Sequence, residues 1–169
     1  KLLAGLVPAE IFPDAPEAAL RAQAIAARTE LLEKIGRRNT TDPFLLCSTP
    51  QCQVYAGAGM ENPRTTRAVE ATRGIVLLRD GGGLTDVRYS AACGGHGEDN
   101  DHVWGGAADP SLRGRADTTK KKTKFSTVDD DNIDAFLADD ADGYWCGRAS
   151  KAKGRFRWST TVAAKDLDA

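Results

Sequence analysis

Four cysteines and one histidine stand at spacings that suit three kinds of chemistry. The cysteines occupy positions 47, 52, 93 and 146, and the third opens the run Cys93-Gly-Gly-His96. Two disulfides, Cys47 with Cys52 and Cys93 with Cys146, are the first interpretation. The second interpretation is a zinc site with the ligands Cys47, Cys52, Cys93 and His96, because zinc prefers thiolate and imidazole ligands. A thiol nucleophile with His96 as its base is the third, although no oxyanion-binding or third-member signature lies nearby.

Glu10 is the candidate for proton transfer. It lies in the run Leu6-Val-Pro-Ala-Glu-Ile-Phe-Pro13. Desolvation among Val7, Ile11 and Phe12 would raise the pKa of this carboxyl group toward the range in which it donates a proton near neutrality. The alternative is an exposed glutamate in a turn, and spacing alone does not decide between the two.

A long alanine-rich helix is the first element that must position these groups. Asp14 is its expected N-cap, Pro16 suits the first turn, and Gly36 provides a left-handed stop. Its apolar positions recur at helical spacing and predict one buried stripe. These positions are Leu20, Ala24, Ala27, Leu31 and Ile35.

Shorter elements follow this helix. Asn62 caps a second predicted helix over 63–73, with Gly74 as its stop, and apolar residues at helical spacing predict a surface helix within the acidic stretch 129–142. The runs 75–79 and 84–92 flank a glycine-rich turn and predict a β-hairpin. A short strand is expected over 51–55 and an edge strand over 155–162.

Composition sets the class of protein. The chain has 169 residues, with 23 Lys or Arg against 24 Asp or Glu and a formal net charge of −1, which argues against a nucleic-acid partner. No apolar run approaches the ~20 residues of a membrane span, and the 17 glycines and 7 prolines argue against an all-helical bundle. We therefore expect an α+β fold, a single domain over 1–169 in which the alanine-rich helix packs on small antiparallel β-sheets.

Six blocks of residues, in order between positions 6 and 117, carry a family resemblance. They are Leu6-Val-Pro-Ala-Glu10, Ala18-Ala-Leu-Arg-Ala-Gln-Ala-Ile-Ala-Ala-Arg-Thr29, Cys52-Gln-Val-Tyr55, Ala68-Val-Glu-Ala-Thr-Arg-Gly74, Tyr89-Ser-Ala-Ala-Cys-Gly-Gly-His96 and Val103-Trp-Gly105. Together they resemble the stage II sporulation protein D (SpoIID) family, which includes amidase enhancers. The resemblance implies a peptidoglycan lytic transglycosylase, a lyase that acts on glycan strands already stripped of stem peptides.

The resemblance also implies roles for individual residues. The family's catalytic glutamate falls on Glu10, and two basic residues of its helix motif fall on Arg21 and Arg28. The family usually has Lys where this chain has Arg21, and Ile11-Phe12 replaces the common Met-Pro. Family members often carry a histidine, in a region associated with zinc, where this chain has Gln51. That departure weakens the zinc interpretation, and we expect no cofactor.

The opposite wall of the expected glycan-binding cleft comes from later blocks. Glycines there would let a sugar approach the backbone, and aromatic faces would stack on sugar rings. His96 would bind an N-acetyl group or orient Glu10; the alternative for it is a purely structural hydrogen bond. The expected substrate-binding residues are Arg21, Arg28, Tyr55, Ser90, Gly94, Gly95, His96 and Trp104.

A single carboxyl group is enough for the implied reaction. Glycoside hydrolysis ordinarily uses two carboxylates, but a lytic transglycosylase uses the 6-hydroxyl of the muramyl sugar as nucleophile. Glu10 would act as acid and then as base while the 1,6-anhydro ring closes. The rival functions are a non-catalytic amidase enhancer or glycan-binding module, and a zinc-dependent hydrolase.

The setting implied by the family is the cell wall outside the cytoplasm. The partners would be peptidoglycan strands lacking stem peptides and an N-acetylmuramoyl-L-alanine amidase. The even cysteine count fits an oxidising compartment. We expect the chain to be a catalytic domain trimmed at both ends, with its membrane anchor absent from this sequence.

Overall fold

The computed structural model describes residues 1–50, 52–121, 123–151, 154–163 and 166. It divides into two compact units, Lys1–Arg88 and Tyr89–Ala169. Unit 1 contains helices α1 (Leu2–Glu10), α2 (Glu17–Lys34) and α3 (Pro63–Ala71), with a 3₁₀ turn at Ala58–Met60; unit 2 contains α4 (Asn100–Trp104), α5 (Ile133–Ala138) and α6 (Trp145–Arg148), with a 3₁₀ turn at Ala141–Gly143. The expected single domain over 1–169 stays a prediction.

Helix α2 is the centre of unit 1, as its alanine stripe predicted. Leu20, Ala24 and Ala27 are each 0% exposed, and α1 and α3 both pack against this helix. Small side chains on the stripe let the neighbouring backbones approach closely. The N-cap is Pro16 rather than Asp14, and Ile35 lies beyond the last helical residue and is exposed.

Helix α1 was not predicted, because Pro8 interrupts its sequence pattern. Proline lacks a backbone N–H and disfavours a helix interior, yet Pro8 lies within this helix. Tertiary packing compensates for that cost. Val7 is fully buried in a cluster with Ala24 and Ala27, and a Cβ atom on Gly5 would lie only 2.6 Å from the ring of Tyr55.

Helix α3 begins as the sequence predicted. The Asn62 side chain accepts a hydrogen bond from Arg64 N at 2.9 Å, which satisfies one of the free donors of the first turn. The helix ends at Ala71, two residues earlier than predicted, and Gly74 follows with a φ of +77°. Unit 1 is therefore three helices in mutual contact.

The expected antiparallel sheets are wrong. In the described part of the chain there is no strand, only isolated bridges that join Leu78 to Leu84, His96 to Ala116 and Thr118 to Tyr144. The turn of the predicted hairpin does form, since Arg79 N donates to Gly83 O at 3.0 Å. One further bond, from Thr85 N to Leu77 O at 3.2 Å, continues the pairing. Leu78 is 62% exposed, and without a buried face nothing fixes the register of longer strands.

The two other predicted strands are also absent from the described residues. Cys52–Tyr55 and 155–162 have no strand pairing, and Gln51 lies outside the described residues. The fold is accordingly helical, with long irregular segments between the helices. No described helix is both long enough and apolar enough to cross a membrane.

Unit 2 has an aromatic core instead of an aliphatic one. Phe136, on the predicted helix of the acidic stretch, is 5% exposed and Tyr144 is 2% exposed. Their rings meet edge to face with centroids 5.8 Å apart, and Phe125 packs edge to face on the other side of Phe136 at 5.4 Å. The guanidinium of Arg157 lies over this cluster. Short helices and turns are arranged around these side chains.

Candidate functional site

Glu10 is the last residue of α1 and is half-buried. The residues on either side of it fix the backbone, because Val7 is fully buried and Ile11 packs against the same cluster. Phe12 was expected to help desolvate the Glu10 carboxyl group, but its side chain is 51% exposed. Glu10 is therefore half-buried between a packed residue, Ile11, and the turn of α1 that carries Val7.

The link after Glu10 is tied to α3. Arg64 donates from Nη2 to Ala15 O at 3.0 Å, and Ala15 N donates to Phe12 O at 3.0 Å. These two bonds fix the chain between α1 and α2. They restrict how far the end of α1 can move. A group that transfers a proton must be held in a fixed position.

Arg28 is buried and donates hydrogen bonds to the last turn of α3 and to the residues that follow it. Nη1 donates to Ile75 O at 2.9 Å, and Nη2 donates to Val69 O at 3.0 Å and to Thr72 Oγ1 at 3.3 Å. A cation at the C-terminal end of α3 also complements the negative end of the helix dipole. Burial lowers the pKa of the Arg28 guanidinium. Arg28 is therefore a structural tie in this structure. Arg21 is exposed on α2, and its binding role stays a prediction.

Tyr55 belongs to a loop held by Cys47 and Cys52. The sulfur atoms of these cysteines lie 2.19 Å apart in a disulfide, and Lys34 Nζ donates to Cys52 O. The Tyr55 ring packs on Gly5 of α1 and lines a mainly apolar cavity with Leu2, Leu6 and Leu31. Glu10 does not line this cavity. Tyr55 is therefore a packing partner of the helix that carries Glu10.

The remaining predicted binding residues lie in unit 2, and two of them have clear structural uses. Gly95 has a φ of +107°, and a Cβ there would lie 2.8 Å from the Tyr144 ring. His96 places Nδ1 2.6 Å from Gly97 O and Nε2 3.1 Å from Ser126 O. A neutral imidazole can donate to only one of these two carbonyl groups. Both ring nitrogens of His96 thus lie close to backbone carbonyl oxygens.

The other predicted residues of unit 2 are accessible or half-buried. Ser90 is exposed and donates to Ala92 O at 3.3 Å, and Gly94 O accepts from Arg157 Nε at 2.9 Å. Trp104 ends α4 and is 59% exposed. Of these, Trp104 has the flat accessible face that stacking on a sugar ring requires. Binding roles for all of these residues stay predictions.

Asp117 is a candidate that the sequence reasoning missed. The thiols of Cys93 and Cys146 lie 3.3 Å apart, and Asp117 Oδ2 lies 3.5 Å from Cys93 Sγ. Burial, with further contributions from the Asp117 and Cys93 side chains, raises the pKa of the Cys146 thiol to about 12. A lone aspartate in a loop, far from both cysteines in sequence, has no local signature that could have revealed it.

Comparison with known proteins adds independent information. Residues 1–78 match the family model described as Stage II sporulation protein, SpoIID. The chain is 38% identical over 110 residues to an uncharacterised protein of Brachyspira hyodysenteriae, covering 65% of this chain and 29% of that protein. It is 38% identical over 116 residues to a Bacillus subtilis protein named amidase enhancer, covering 69% of this chain and 15% of that protein. The chain thus spans less than a third of either relative, and no solved structure matches it.

Proposed function

Because residues 1–78 belong to the SpoIID family, as the sequence motifs predicted, we propose that the chain carries a peptidoglycan lytic transglycosylase activity. The substrate is glycan stripped of stem peptides, and the bond cleaved is the one that joins MurNAc to GlcNAc. The product carries a 1,6-anhydroMurNAc end. The observation that carries this proposal is the placement of Glu10, within the family-matched region, as the half-buried last residue of α1.

Glu10 ends α1 beside apolar packing. Val7 belongs to the buried cluster of unit 1 and Ile11 packs against it, so the backbone on both sides of Glu10 is held in place. Partial exposure still leaves room for a glycosidic oxygen to reach the carboxyl group.

The proton then moves twice. Glu10 first donates it to the bridging oxygen, so that the leaving GlcNAc departs as an alcohol and positive charge develops at the anomeric carbon of MurNAc. The resulting carboxylate takes the proton of the muramyl 6-hydroxyl while that oxygen bonds to the anomeric carbon. Glu10 ends protonated, as it began. No water is consumed, no second carboxylate is needed, and no cofactor takes part.

Each unit has an accessible residue to which we assign a binding role within that unit. In unit 1, Arg21 is exposed on α2 and is proposed to supply a cation for muramyl lactate carboxylates. In unit 2, Trp104 is 59% exposed and is proposed to stack on a sugar ring. Arg28 contributes by holding the end of α3 in place. The protein acts outside the cytoplasm on the cell wall, after an amidase has removed the stem peptides.

The decisive experiment compares two glutamate variants. Glu10→Gln removes the transferable proton, whereas Glu70→Gln makes the same change at an exposed position of α3. Wild type and Glu70→Gln are expected to release anhydromuramyl products from denuded glycan strands, detected by mass spectrometry. Glu10→Gln is expected to lose at least about a hundredfold in rate. The proposal fails if wild type releases no such product, or if Glu10→Gln matches Glu70→Gln.

A non-catalytic role is the second candidate, favoured by the name of the Bacillus subtilis relative, amidase enhancer. In that case the chain binds glycan or an amidase and cuts nothing. Adding the wild type and Glu10→Gln chains to an N-acetylmuramoyl-L-alanine amidase on intact peptidoglycan separates the two functions. Equal stimulation by both chains, without anhydromuramyl products, favours the enhancer.

A further inference from the structure

Three potential metal ligands converge in unit 2. The ligand atoms of Cys93, Asp117 and Cys146 all lie within 4.8 Å of one another. The two sulfur atoms are 3.3 Å apart, and Cys93 Sγ is 3.5 Å from Asp117 Oδ2. All three residues are half-buried. None of them belongs to the candidate glycan site.

The backbone holds these three residues together. Asp117 N donates to Gly95 O at 2.9 Å, and Trp145 N donates to Asp117 O at 3.2 Å. Cys146 N donates to Asp117 Oδ2 at 2.8 Å. The isolated bridges of residues 116 and 118 to His96 and Tyr144 lie directly on either side of Asp117. Segments far apart in sequence are therefore locked in register where the three side chains meet.

The distances suit a tetrahedral cation. Zinc binds sulfur at about 2.3 Å and carboxylate oxygen at about 2.0–2.2 Å, so two ligand atoms on one ion lie about 3.5 Å apart for sulfur and oxygen and about 3.8 Å apart for two sulfurs. The sulfur–oxygen separation already has this value. The sulfur pair needs to open by about half an ångström, which small rotations of the cysteine side chains provide.

We propose that Cys93, Asp117 and Cys146 bind a soft divalent cation, zinc by preference, with a fourth position left to water or another small ligand. Asp117 places a carboxylate oxygen beside the two sulfur atoms, and two thiolates with one carboxylate match a doubly charged cation. His96 is not a ligand, because its two nitrogens face Gly97 O and Ser126 O.

Cobalt binding tests the site without any measurement of glycan cleavage. Co²⁺ is titrated into the reduced, metal-free full chain, and tetrahedral cobalt with thiolate ligands gives visible d–d bands and a near-ultraviolet sulfur-to-metal band. In the background Cys47→Ser/Cys52→Ser, the remaining thiols are Cys93 and Cys146. We expect one cobalt per chain there, with the thiolate band intact.

Matched variants locate the ligands. Adding Cys146→Ser is expected to abolish the tetrahedral bands. Asp117→Asn is expected to weaken binding about tenfold or more, while Asp130→Asn, at an exposed position of the acidic stretch, leaves binding unchanged. The proposal is overturned if the tetrahedral cobalt bands disappear in the Cys47→Ser/Cys52→Ser background but persist in Cys146→Ser.

Alkylation of the wild-type chain provides a second measurement that does not depend on how the variants fold. Peptide mapping is expected to find Cys93 and Cys146 protected by zinc and alkylated once a chelator is added. A stoichiometric Cys93–Cys146 disulfide in protein purified with zinc present overturns the proposal.

Discussion

Arg28 in unit 1 and Arg157 in unit 2 both connect segments that are distant in sequence, but they make different kinds of contact. Arg28 of unit 1 is 8% exposed and donates to carbonyl oxygens at the end of α3, while small aliphatic residues provide the packing. Arg157 of unit 2 is itself a packing surface, with its guanidinium carbon 4.2 Å from the centroid of the Phe136 ring and 4.6 Å from that of Tyr144. Unit 1 should therefore depend most on apolar volume, and unit 2 on a planar cation.

Two optical signals can follow the unfolding of the two units separately. The three tryptophans of the chain, at positions 104, 145 and 158, all lie in unit 2, so their fluorescence reports on unit 2 alone. The long helices α1, α2 and α3 all lie in unit 1, so far-ultraviolet circular dichroism reports mainly on unit 1. Urea unfolding followed by both signals can test each half of the comparison.

The largest effect is expected from Leu20→Ala. Leu20 is 0% exposed, and truncating a buried leucine typically costs about 2–5 kcal/mol, because a cavity remains. Leu32→Ala, on the same helix but at a site 43% exposed, should cost less than about 1 kcal/mol. The circular dichroism midpoint should fall in Leu20→Ala while the fluorescence midpoint stays. If both midpoints fall together, the two units unfold as one and the comparison breaks.

The next effect is expected from Arg28→Lys. Lysine keeps the charge, but one ammonium group cannot replace a planar fork that reaches Ile75 O and Val69 O together. The expected loss is about 1–3 kcal/mol in unit 1, whereas Arg21→Lys, at an exposed position, should change stability by less than about 0.5 kcal/mol. Unchanged stability with lost glycan cleavage in Arg28→Lys would instead place Arg28 at the substrate, as the family resemblance implies.

The elements that were predicted correctly carry their signal locally. The stripe of α2, the Asn62 cap of α3 and the turn before Gly83 each depend on residues within a few positions of one another. Helix α1 was missed because Pro8 argues against a helix, and tertiary packing of its buried residues, Val7 among them, outweighs that preference. The predicted sheets failed because β-rich residues form extended strands only where another surface buries one face.

The candidate sites divide in the same way. Glu10 could be named from a short motif, and its place at the end of α1 is consistent with the proposed role. The meeting of Asp117 with Cys93 and Cys146 depends on segments 24 and 53 residues away from Cys93, and no spacing rule covers such separations. Arg157 was missed for the same reason, since its contacts at Gly94 and at Phe136 to Asp139 lie in two distant segments of unit 2.

A smaller effect is expected from Arg157→Lys. The ammonium group lacks the flat face that stacks on Phe136 and Tyr144, and it cannot reach Gly94 O and Asp139 O at once. The expected loss is about 1–2 kcal/mol in unit 2, seen in the fluorescence midpoint. Arg155→Lys, two residues earlier and exposed, is the matched control. A fall in the circular dichroism midpoint alone would contradict the assignment of Arg157 to the core of unit 2.

The smallest effect concerns pH and sharpens the same contrast, because it should be confined to unit 2. The Tyr144 hydroxyl donates to Asp139 Oδ2 at 2.9 Å, and this bond, with the nearby Lys124 ammonium, lowers the pKa of Asp139. The unfolded chain therefore binds the proton more readily than the folded chain. The stabilisation is complete above the ordinary carboxyl pKa and is lost as pH falls through the lowered one. Between about pH 6 and about pH 3, the fluorescence midpoint in urea should fall slightly less in Asp139→Asn than in wild type, while Asp130→Asn follows wild type. An identical fall in all three chains would mean that the Tyr144–Asp139 bond contributes nothing to the pH dependence of unit 2.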